Sequence, residues 1–393
     1  MRLFVPAETR DGERRVAVVA DVVGKLSRLG LDVDVQTGAG SAALDTDDAY
    51  REAGATVIAD ADVQSAFSQA DIVATVRPLP AAQASLVKSQ AVCLSLLQPG
   101  QDTETIEAVA KRGATAMSFD LIPRISRAQS MDALTSQALV TGYRATLVGA
   151  ELLPKFFPLF MTAAGTIPPA KVLVLGAGVA GLQAIATAKR LGAKVSAYDV
   201  RPASADEVKS MGGTFINLDL ETAAGTGGYA KEMSQDRAAR QQELLTPYVA
   251  DSDVVITTAA VPGRRAPLLL TEQMVSAMRR GSVVIDLASE SGGNVAGSKP
   301  GETIDIGGVR VWGAKDVASD MPAHASRMYA MNVLAVLELI VSEGALNLDP
   351  EDEVVAGSAV VLEGEVENPV AREALGLPEK PPAEDAAPGV GGN

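Results

Sequence analysis

The stretch that decides the fold is Lys171-Val172-Leu173-Val174-Leu175-Gly176-Ala177-Gly178-Val179-Ala180-Gly181-Leu182. Its apolar run predicts a buried strand, the three glycines have the spacing G-x-G-x-x-G, and the Ala-rich segment after them predicts a helix. In such a unit Gly176 permits the sharp turn, Gly178 lets the backbone approach a pyrophosphate, and Gly181 lets the helix pack closely on the strand. The pattern therefore predicts a dinucleotide-binding turn, with the phosphates at the positive end of the helix dipole.

The acid that follows the next predicted strand indicates which dinucleotide is bound. Asp199 ends a strand predicted at 194–198 and lies 18 residues after Gly181, close to the usual spacing of about 20. A carboxylate there accepts hydrogen bonds from the adenosine ribose and repels a 2′-phosphate, since like charges about 4 Å apart repel by up to about 4 kcal/mol near a protein surface. Arg201 is an alternative 2′-phosphate ligand, but Asp199 favours NAD over NADP. A glycine turn in an ordinary α/β protein is the alternative to the whole interpretation.

Composition excludes several classes of function. The chain has 393 residues, enough for about two or three domains. A net charge of −15 argues against nucleic acid or an anionic membrane surface as direct partners. The single cysteine, Cys93, rules out an internal disulfide and fits a reducing cytosol. The start lacks the apolar core of a signal peptide, and the longest uncharged run, 172–188, is shorter than the about 20 residues of a membrane span, so we expect no membrane insertion.

The first half of the chain alternates predicted strands and helices. Such alternation is typical of a parallel sheet covered on both faces. The strands are predicted at 3–5, 33–36, 72–76 and 92–96, and the helices at 21–29, 80–89 and 103–112. No glycine fingerprint occurs there, so this half is predicted to be a relative of the nucleotide-binding fold without an evident nucleotide.

The second half contains the predicted cofactor domain. Helical periodicity extends over much of 126–160, and strands are predicted at 172–175, 194–198, 214–216, 253–257, 283–286 and 309–312. Between the third and fourth of these strands, residues 222–233 combine three glycines with Tyr229. This segment is either a mobile flap with an apolar tip or a solvated loop.

We therefore predict an α/β protein with two Rossmann-like, doubly wound parallel-sheet domains and a cleft between them. An amphipathic helix at 325–342 and a short strand at 359–362 are expected to return to the first domain. Ligand chemistry is expected in the cleft. The predicted limits are 1–130 plus 325–377 for the first domain, 131–161 for a connecting helix, 162–324 for the NAD(H)-binding domain, and 378–393 for a disordered tail.

Residues for proton transfer or metal binding are scarce. The one histidine, His324, opens the late helix and is predicted to be structural or exposed. One His and one Cys cannot form a common transition-metal site, so no metal is expected. The segment 292–299 approaches a phosphate-loop pattern but has Ser298 and Lys299 in the wrong order, which predicts a turn.

A polar cluster remains at 124–135. If a helix starts near Ser126, then Gln129, Asp132 and Thr135 recur at a spacing of three and share one face. A capping box formed by Ser126 and Gln129 is the alternative.

Several motifs resemble the NAD(H)-binding component of the proton-translocating NAD(P) transhydrogenases, a family related to alanine dehydrogenase. The resemblance covers nearly the whole chain, and the polar cluster beginning at Arg124 is its most specific portion. The motifs are Met161-Thr162-Ala163-Ala164-Gly165-Thr166-Ile167-Pro168-Pro169-Ala170, Asp199-Val200-Arg201-Pro202, Gly227-Gly228-Tyr229-Ala230-Lys231-Glu232-Met233-Ser234, Val261-Pro262-Gly263-Arg264 and Gly281-Ser282-Val283-Val284-Ile285-Asp286-Leu287-Ala288.

The resemblance implies roles for individual residues. Arg124, Gln129 and Asp132 would position the nicotinamide and its ribose, and together with Thr135, where the family commonly has serine, they form the implied catalytic set. The implied cofactor-binding residues are Gly176, Ala177, Gly178, Val179 and Gly181 at the pyrophosphate, Asp199, Val200 and Arg201 at the adenosine ribose, and Gly228, Tyr229, Gln241 and Ala260 in the rest of the pocket.

The resemblance also implies a reaction and its partners. Hydride passing directly between two nicotinamide rings needs no general acid or base, but it needs two C4 atoms held about 3–3.5 Å apart with water excluded. NAD(H) would bind this chain, and NADP(H) would bind a partner subunit. Membrane-spanning subunits would couple the reaction to proton translocation and hold a homodimer of this cytoplasmic chain at the inner membrane.

Two alternatives stay open at this point. An alanine dehydrogenase would use a histidine, a lysine and an aspartate where this chain has Gln98, Arg77 and Glu290, although Arg15 matches the substrate arginine of that relative. A non-catalytic NAD-binding protein is the second alternative, and the polar cluster at 124–135 argues against it.

Overall fold

The computed structural model describes residues 1–218, 235–260, 265–342 and 344–380. The chain divides into two compact units. Unit 1 contains Met1–Arg10, Val16–Asp132 and the chain from Tyr329 onward, and unit 2 contains Asp11–Arg15 and Ala133–Met328. The segment predicted as a flap, at 222–233, lies outside the described residues, as do the 261–264 motif and residues 381–393 of the tail predicted at 378–393.

The strands of the described chain are short, and most are buried. In chain order they are β1 (Arg2–Val5), β2 (Asp32–Gln36), β3 (Thr56–Ile58), β4 (Ile72–Ala74), β5 (Val92–Ser95), β6 (Thr115–Ser118), β7 (Phe160–Thr162), β8 (Gly165–Ile167), β9 (Lys171–Leu175), β10 (Lys194–Tyr198), β11 (Thr214–Phe215), β12 (Val254–Thr257), β13 (Val283–Asp286), β14 (Thr303–Ile306), β15 (Val309–Gly313), β16 (Val341–Ser342), β17 (Ala345–Leu346), β18 (Ala359–Leu362) and β19 (Glu365–Val366).

The helices alternate with these strands. In chain order they are α1 (Ala20–Arg28), α2 (Asp47–Glu52), α3 (Val63–Gln69), α4 (Ala81–Ala84), α5 (Thr103–Lys111), α6 (Ala133–Leu152), α7 (Val179–Arg190), α8 (Ser204–Ser210), α9 (Gln235–Ala250), α10 (Glu272–Ser276), α11 (Pro322–Ile340), α12 (Glu353–Ser358) and α13 (Pro369–Ala374). Among the residues that the structure describes, no helix combines the length and the apolar character needed to cross a bilayer.

Unit 1 is organised around a mostly parallel sheet. Its strand order is β19-β18-β6-β5-β4-β1-β2-β3. The six strands from β6 to β3 run parallel, whereas β18 pairs antiparallel with β6, and β19 pairs antiparallel with β18. The late strands β18 and β19 thus extend a sheet made by the first 118 residues. One face of this sheet is filled by buried side chains that include Phe4 and Phe67, whose rings meet edge to face with centroids 5.0 Å apart.

Unit 2 has a second sheet with the order β11-β10-β9-β12-β13-β15-β14. Every neighbouring pair is parallel except the edge pair of β14 and β15. The central strand β9 is apolar without alternation because both of its faces are covered: Val172 and Val174 belong to one buried cluster, and Leu173 and Leu175 belong to the other. The predicted α/β class with two Rossmann-like parallel sheets is confirmed.

Two predicted helices differ from the observed ones. The helix predicted at 80–89 is only α4, because the chain turns after Ser85 and reaches Gln90 with a left-handed φ of +63°. The helix predicted through 131–161 is α6, which starts at Ala133 and ends at Leu152. Pro154 and Pro158 follow it and cannot donate the backbone hydrogen bonds that a longer helix needs. The chain then forms the β7–β8 hairpin.

Candidate functional site

The candidate site lies at the carboxyl edge of the unit 2 sheet. From β9 the chain proceeds to β10 and β11 on one side, whereas β12 and β13 lie on the other side. The order therefore reverses between β9 and β12, and open α/β sheets bind ligands in the crevice at such a switch point. The loops that follow these two strands, 176–178 and 258–260, flank that crevice.

Two glycines of the fingerprint are required by close backbone contacts. Gly176 has φ +104°, and a Cβ atom on it would lie 2.5 Å from the hydroxyl of Thr258. A Cβ atom on Gly181 would lie 1.9 Å from the carbonyl oxygen of Gly176. No side chain fits either position, so the turn packs directly against the loop after β12, and the start of α7 packs directly against the turn.

The middle glycine has a different environment. A Cβ atom on Gly178 would meet nothing within 4 Å, so packing within the protein does not require glycine there. Gly178 precedes Val179, the first residue of α7, and the first turn of an α-helix has N–H groups without intrahelical partners. An open surface above such donors has room for an anion such as a phosphate.

Asp199, which directly follows β10, links the end of that strand to the glycine turn. Its carboxylate accepts a hydrogen bond from the backbone N–H of Ala177 at 2.7 Å. It also accepts from the backbone N–H of Arg201 at 2.8 Å and from the guanidinium Nε at 2.9 Å and a terminal nitrogen at 3.1 Å. The hydrogen bonds with Asp199 raise the pKa of Arg201. The Asp199 side chain is 8% exposed, so it is a buried, fixed acceptor. Val200 between them is half-buried.

The loop after β12 is held by a buried polar network that sequence analysis missed. The side-chain oxygen of Asn294 accepts from the N–H of Ala259 at 3.0 Å, and its amide nitrogen donates to the Ala259 carbonyl at 2.8 Å. Asp286, at the end of β13, accepts from the N–H of Asn294 and from the hydroxyl of Thr257. Asn294 lies in the turn correctly predicted at 292–299, where Gly292 and Gly293 have left-handed φ. Local sequence indicates only a turn there, and the role of Asn294 in holding the Ala259 loop is visible only from its hydrogen bonds.

A second residue that sequence analysis missed, Gly142, brings α6 against α7. A Cβ atom on Gly142 would lie 2.0 Å from the carbonyl oxygen of Ala180. The hydroxyl of Thr146, one turn later, is 3.3 Å from the carbonyl of Ala184. The small residue at 142 therefore lets α6 contact the backbone of α7. The signal available in the sequence was a glycine inside a predicted helix. Glycine lowers helix stability there, so its presence indicates a packing requirement.

The polar cluster has a different local structure from the predicted helix. Residues Ser126–Met131 form a 3₁₀-helix whose N-cap is Ile125, so Ser126 forms neither the α-helix start nor the alternative capping box. Asp132 follows with ψ +89°, a non-helical value, so the helical conformation is interrupted before α6 begins at Ala133. Gln129 and Thr135 are consequently on separate helices, and the shared-face prediction is wrong because Asp132 breaks the periodicity.

The structure places the four predicted catalytic residues in two units. Arg124, Gln129 and Asp132 belong to unit 1, and Thr135 belongs to unit 2. Arg124 and Gln129 are exposed, whereas Asp132 and Thr135 are half-buried.

The remaining predicted pocket residues divide into described and undescribed positions. Gln241 on α9 is 3% exposed, and its side-chain oxygen has no hydrogen-bond partner within the described ranges. Ala260, beside the network at Ala259, is exposed. Gly228 and Tyr229 lie outside the described residues.

The described residues offer little for metal or proton chemistry. His324 is exposed in the first turn of α11. Across 1–218, 235–260, 265–342 and 344–380, no group of three or more His, Cys, Asp or Glu side chains is placed to hold a metal ion. The unit 2 edge is thus a set of backbone donors, one fixed carboxylate and small residues, which are the features of the dinucleotide-binding class of Rossmann domains.

Comparison with known sequences agrees with that class. The family described as alanine dehydrogenase/PNT, C-terminal domain, matches residues 145–369, and the corresponding N-terminal domain matches residues 4–141. The chain belongs to this alanine dehydrogenase/PNT family of oxidoreductases.

Individual relatives place the chain beside the transhydrogenases. It is 47% identical over 379 residues to the first portion of the NAD(P) transhydrogenase subunit alpha of Rhodospirillum rubrum, covering 94% of this chain and 98% of the relative. It is 43% identical to the NAD(P) transhydrogenase subunit alpha of Cereibacter sphaeroides, covering 94% of this chain and 71% of the relative. The crystal structure of transhydrogenase from Sinorhizobium meliloti superimposes with a TM-score of 0.84 at 43% identity, covering 93% of this chain and 100% of that one. The predicted resemblance is confirmed.

Proposed function

We propose that this chain is the NAD(H)-binding component of a proton-translocating NAD(P) transhydrogenase. A hydride would pass from C4 of the dihydronicotinamide held here to C4 of an oxidised NADP nicotinamide held by a partner subunit. The proposal is supported by relatives of that name at 43–47% identity and by the open glycine turn above α7.

The proposed reaction fits the side chains available. The two electrons travel with the hydrogen nucleus as hydride, so the donor ring becomes aromatic and no proton is taken up or released. The site then needs groups that hold rings in place and exclude water, rather than an acid or base. Arg124, Gln129, Asp132 and Thr135 are polar groups of that kind, and we propose that they position the nicotinamide and its ribose.

Asp199 and Arg201 support NAD as the nucleotide bound here. The guanidinium of Arg201 donates two bonds to Asp199, and a 2′-phosphate would have to compete with that carboxylate for it. The same carboxylate is held next to the phosphate turn by Ala177. We propose that Val200 completes the adenosine ribose site. Gly228, Tyr229, Gln241 and Ala260 are proposed to complete the pocket, and the buried unpartnered oxygen of Gln241 would find its donor there.

Arg15 bears on the rival function, alanine dehydrogenase. It is buried, and each nitrogen of its guanidinium donates a bond inside unit 2: Nε and one terminal nitrogen to Glu13, and the other terminal nitrogen to Gln137. Its charge is therefore already paired with Glu13. A 2-oxo acid would have to displace these contacts to use Arg15, which favours the transhydrogenase.

The β7–β8 hairpin supports the proposed homodimer. All six of its strand residues are exposed, and an isolated two-stranded hairpin is marginally stable in water. The hairpin and the loop before it expose large apolar side chains, namely Phe156, Leu159, Phe160, Met161 and Ile167. We propose that a second copy covers this surface, while membrane-spanning and NADP(H)-binding subunits hold the dimer at the cytoplasmic face of the inner membrane.

The proposal is tested by separating ring placement from nucleotide binding. Gln129→Asn shortens the side chain by one methylene and so moves its amide group. We expect it to slow single-turnover hydride transfer to an oxidised NADP analogue on the partner by about tenfold or more. Small misplacements of reacting atoms have large effects on rate. NADH affinity, measured by fluorescence titration, should change less than about twofold.

Gln101→Asn is the matched control, since Gln101 is also exposed on unit 1. It should leave both quantities unchanged. Equal losses of transfer and binding in Gln129→Asn would assign Gln129 a structural role. Robust NADH oxidation with pyruvate and ammonia would instead identify an alanine dehydrogenase.

A further inference from the structure

The 3₁₀-helix Ser126–Met131 carries Gln129 and leads into Asp132, so its position decides where these side chains lie. It is short, and an element of this kind has poor hydrogen-bond geometry of its own. Ala128 and Met131 are buried and anchor one side of it, whereas Ser126, Arg127, Gln129 and Ser130 are exposed. Its exposed side needs other contacts to hold it in place.

One such contact comes from α11. The side-chain amide nitrogen of Asn332 donates a hydrogen bond to the backbone carbonyl of Ser130 at 2.8 Å. Asn332 is 6% exposed, so the loss of this part-buried bond would leave a buried side-chain amide less well paired. The accepting carbonyl belongs to the Ser130–Met131 peptide, one residue after Gln129, so the bond holds the backbone close to the proposed ring-positioning side chain.

A second contact comes from the start of α12. Both terminal nitrogens of Arg127 donate to the carboxylate of Asp352, at 2.9 and 3.0 Å. The same carboxylate caps α12 by accepting from the N–H of Val354. Arg127 is held bidentately, a geometry with more directional specificity than a single contact. The hydrogen bond with Arg127 lowers the pKa of Asp352.

We infer that Asn332 and Asp352 are positioning residues for hydride transfer: from the C-terminal segment of unit 1 they clamp residues 126–131 and so set the placement of Gln129 and Asp132. This inference rests on the proposed function. The two contacts reach opposite ends of the 3₁₀-helix, one at Arg127 and one at Ser130, and together they define its orientation as well as its position. Both residues act through the 3₁₀-helix rather than by contact with the nucleotide.

The test removes each contact while keeping the local fold. Asn332→Leu keeps a similar volume without the donor. Asp352→Asn removes the charge partner of Arg127 but retains a good N-cap for α12. Each variant, as full-length chain with its NADP(H)-binding partner, is expected to slow single-turnover hydride transfer, by about tenfold for Asn332→Leu and by about threefold for the more exposed pair. The NADH dissociation constant of each should stay within about twofold of the wild-type value.

Tyr329→Phe is the matched control for Asn332→Leu. Tyr329 lies one turn earlier on α11, is fully buried, and donates its hydroxyl hydrogen to the carbonyl of Thr75 at 2.8 Å. The change again removes one buried hydrogen bond between α11 and a backbone carbonyl of unit 1, but at a different segment. Transfer should remain within about twofold of wild type. Amide hydrogen exchange at 126–132 should rise in Asn332→Leu and stay unchanged in Tyr329→Phe.

The outcomes separate this inference from the function it rests on. No transfer by the wild-type chain with its partner would reject the proposed function. Transfer by wild type with unchanged rates in Asn332→Leu and Asp352→Asn would reject the clamp alone. Equal slowing in Asn332→Leu and Tyr329→Phe would also reject it, because general destabilisation would explain both. If Asn332→Leu fails to fold, Asp352→Asn at the surface decides the question.

Discussion

The two sheets have the same order of parallel strands around their switch points, but the residues at the two switch points differ. In unit 2 the crevice between β9 and β12 is bordered by Gly176 and by the open surface at Gly178. In unit 1 the order reverses between β1 and β4, and there the carboxylate of Glu8 accepts hydrogen bonds from the backbone N–H groups of Val76, at 2.6 Å, and Arg77, at 3.2 Å.

The difference indicates that loops, rather than strands, make one switch point suitable for the proposed nucleotide and the other not. Both sheets present backbone donors at the reversal, as open α/β folds generally do. In unit 1 the chain supplies its own anion, Glu8, to those donors. In unit 2 the carboxylate of Asp199 lies beside the glycine turn, and the space around Gly178 at the start of α7 stays open.

The largest effect is expected where the glycine turn meets α7. Gly181→Ala would place a methyl group 1.9 Å from the Gly176 carbonyl, so the backbone must shift, and the free energy of unfolding should fall by about 3 kcal/mol. Chemical denaturation measures this. Gly178→Ala, with open space around it, should lose less than about 1 kcal/mol of stability and yet weaken NADH binding. Equal stability losses in both variants would contradict the separate roles.

A smaller loss is expected when the unit 1 crevice is opened. Glu8→Ala leaves the N–H of Val76, a buried residue, without its acceptor, and we expect unfolding to become easier by about 1–3 kcal/mol. Glu8→Gln keeps one acceptor oxygen and should lose about half as much. NADH affinity should not change in either variant, and a parallel loss of affinity would show that the two edges do not act independently.

The smallest expected effect concerns Asp120, which follows β6 at the same edge of unit 1. Burial raises its pKa from 3.8 to about 6, opposed by Arg77 and reinforced by Asp102. Because the folded state holds this proton more tightly than the unfolded state, stability falls as pH rises from about 4 to 6. Asp120→Asn removes this loss, and we expect a gain of about 1–2 kcal/mol at pH 7.5 that vanishes near pH 4. A gain of equal size at both pH values would exclude titration of Asp120 as its cause.

Sequence patterns predicted the strands well because strand burial is encoded locally. The apolar run at 172–175 and its glycines anticipated β9 and the start of α7, and the late strand at 359–362 was placed correctly. Short elements were missed, such as β6 and the β7–β8 hairpin, whose residues show no clear alternation. The break at Asp132 was also missed, because a 3₁₀ segment and an α-helix have similar apolar spacing over six residues.

The contacts that fix the candidate site could not be predicted from local pattern. Asn294 binds Ala259 across 35 residues, and Asn332 binds Ser130 across 202. Such pairs depend on tertiary structure, and nothing in the residues around an asparagine distinguishes a buried clamp from a polar turn. Spacing predicts Asp199 as a site residue, but its hydrogen bond with the N–H of Ala177 is a tertiary contact that spacing does not reveal.

The pairing of β18 with β6 has a consequence for synthesis of the chain. Val361 lies opposite Ala116 in that pair, so the last strands of the first sheet leave the ribosome only after the whole 133–328 segment has been made. Unit 2 can complete its fold early, whereas unit 1 must wait with an open sheet edge at β6. Unpaired edges of this kind invite wrong partners, and C-terminal truncations that remove β18 should therefore aggregate.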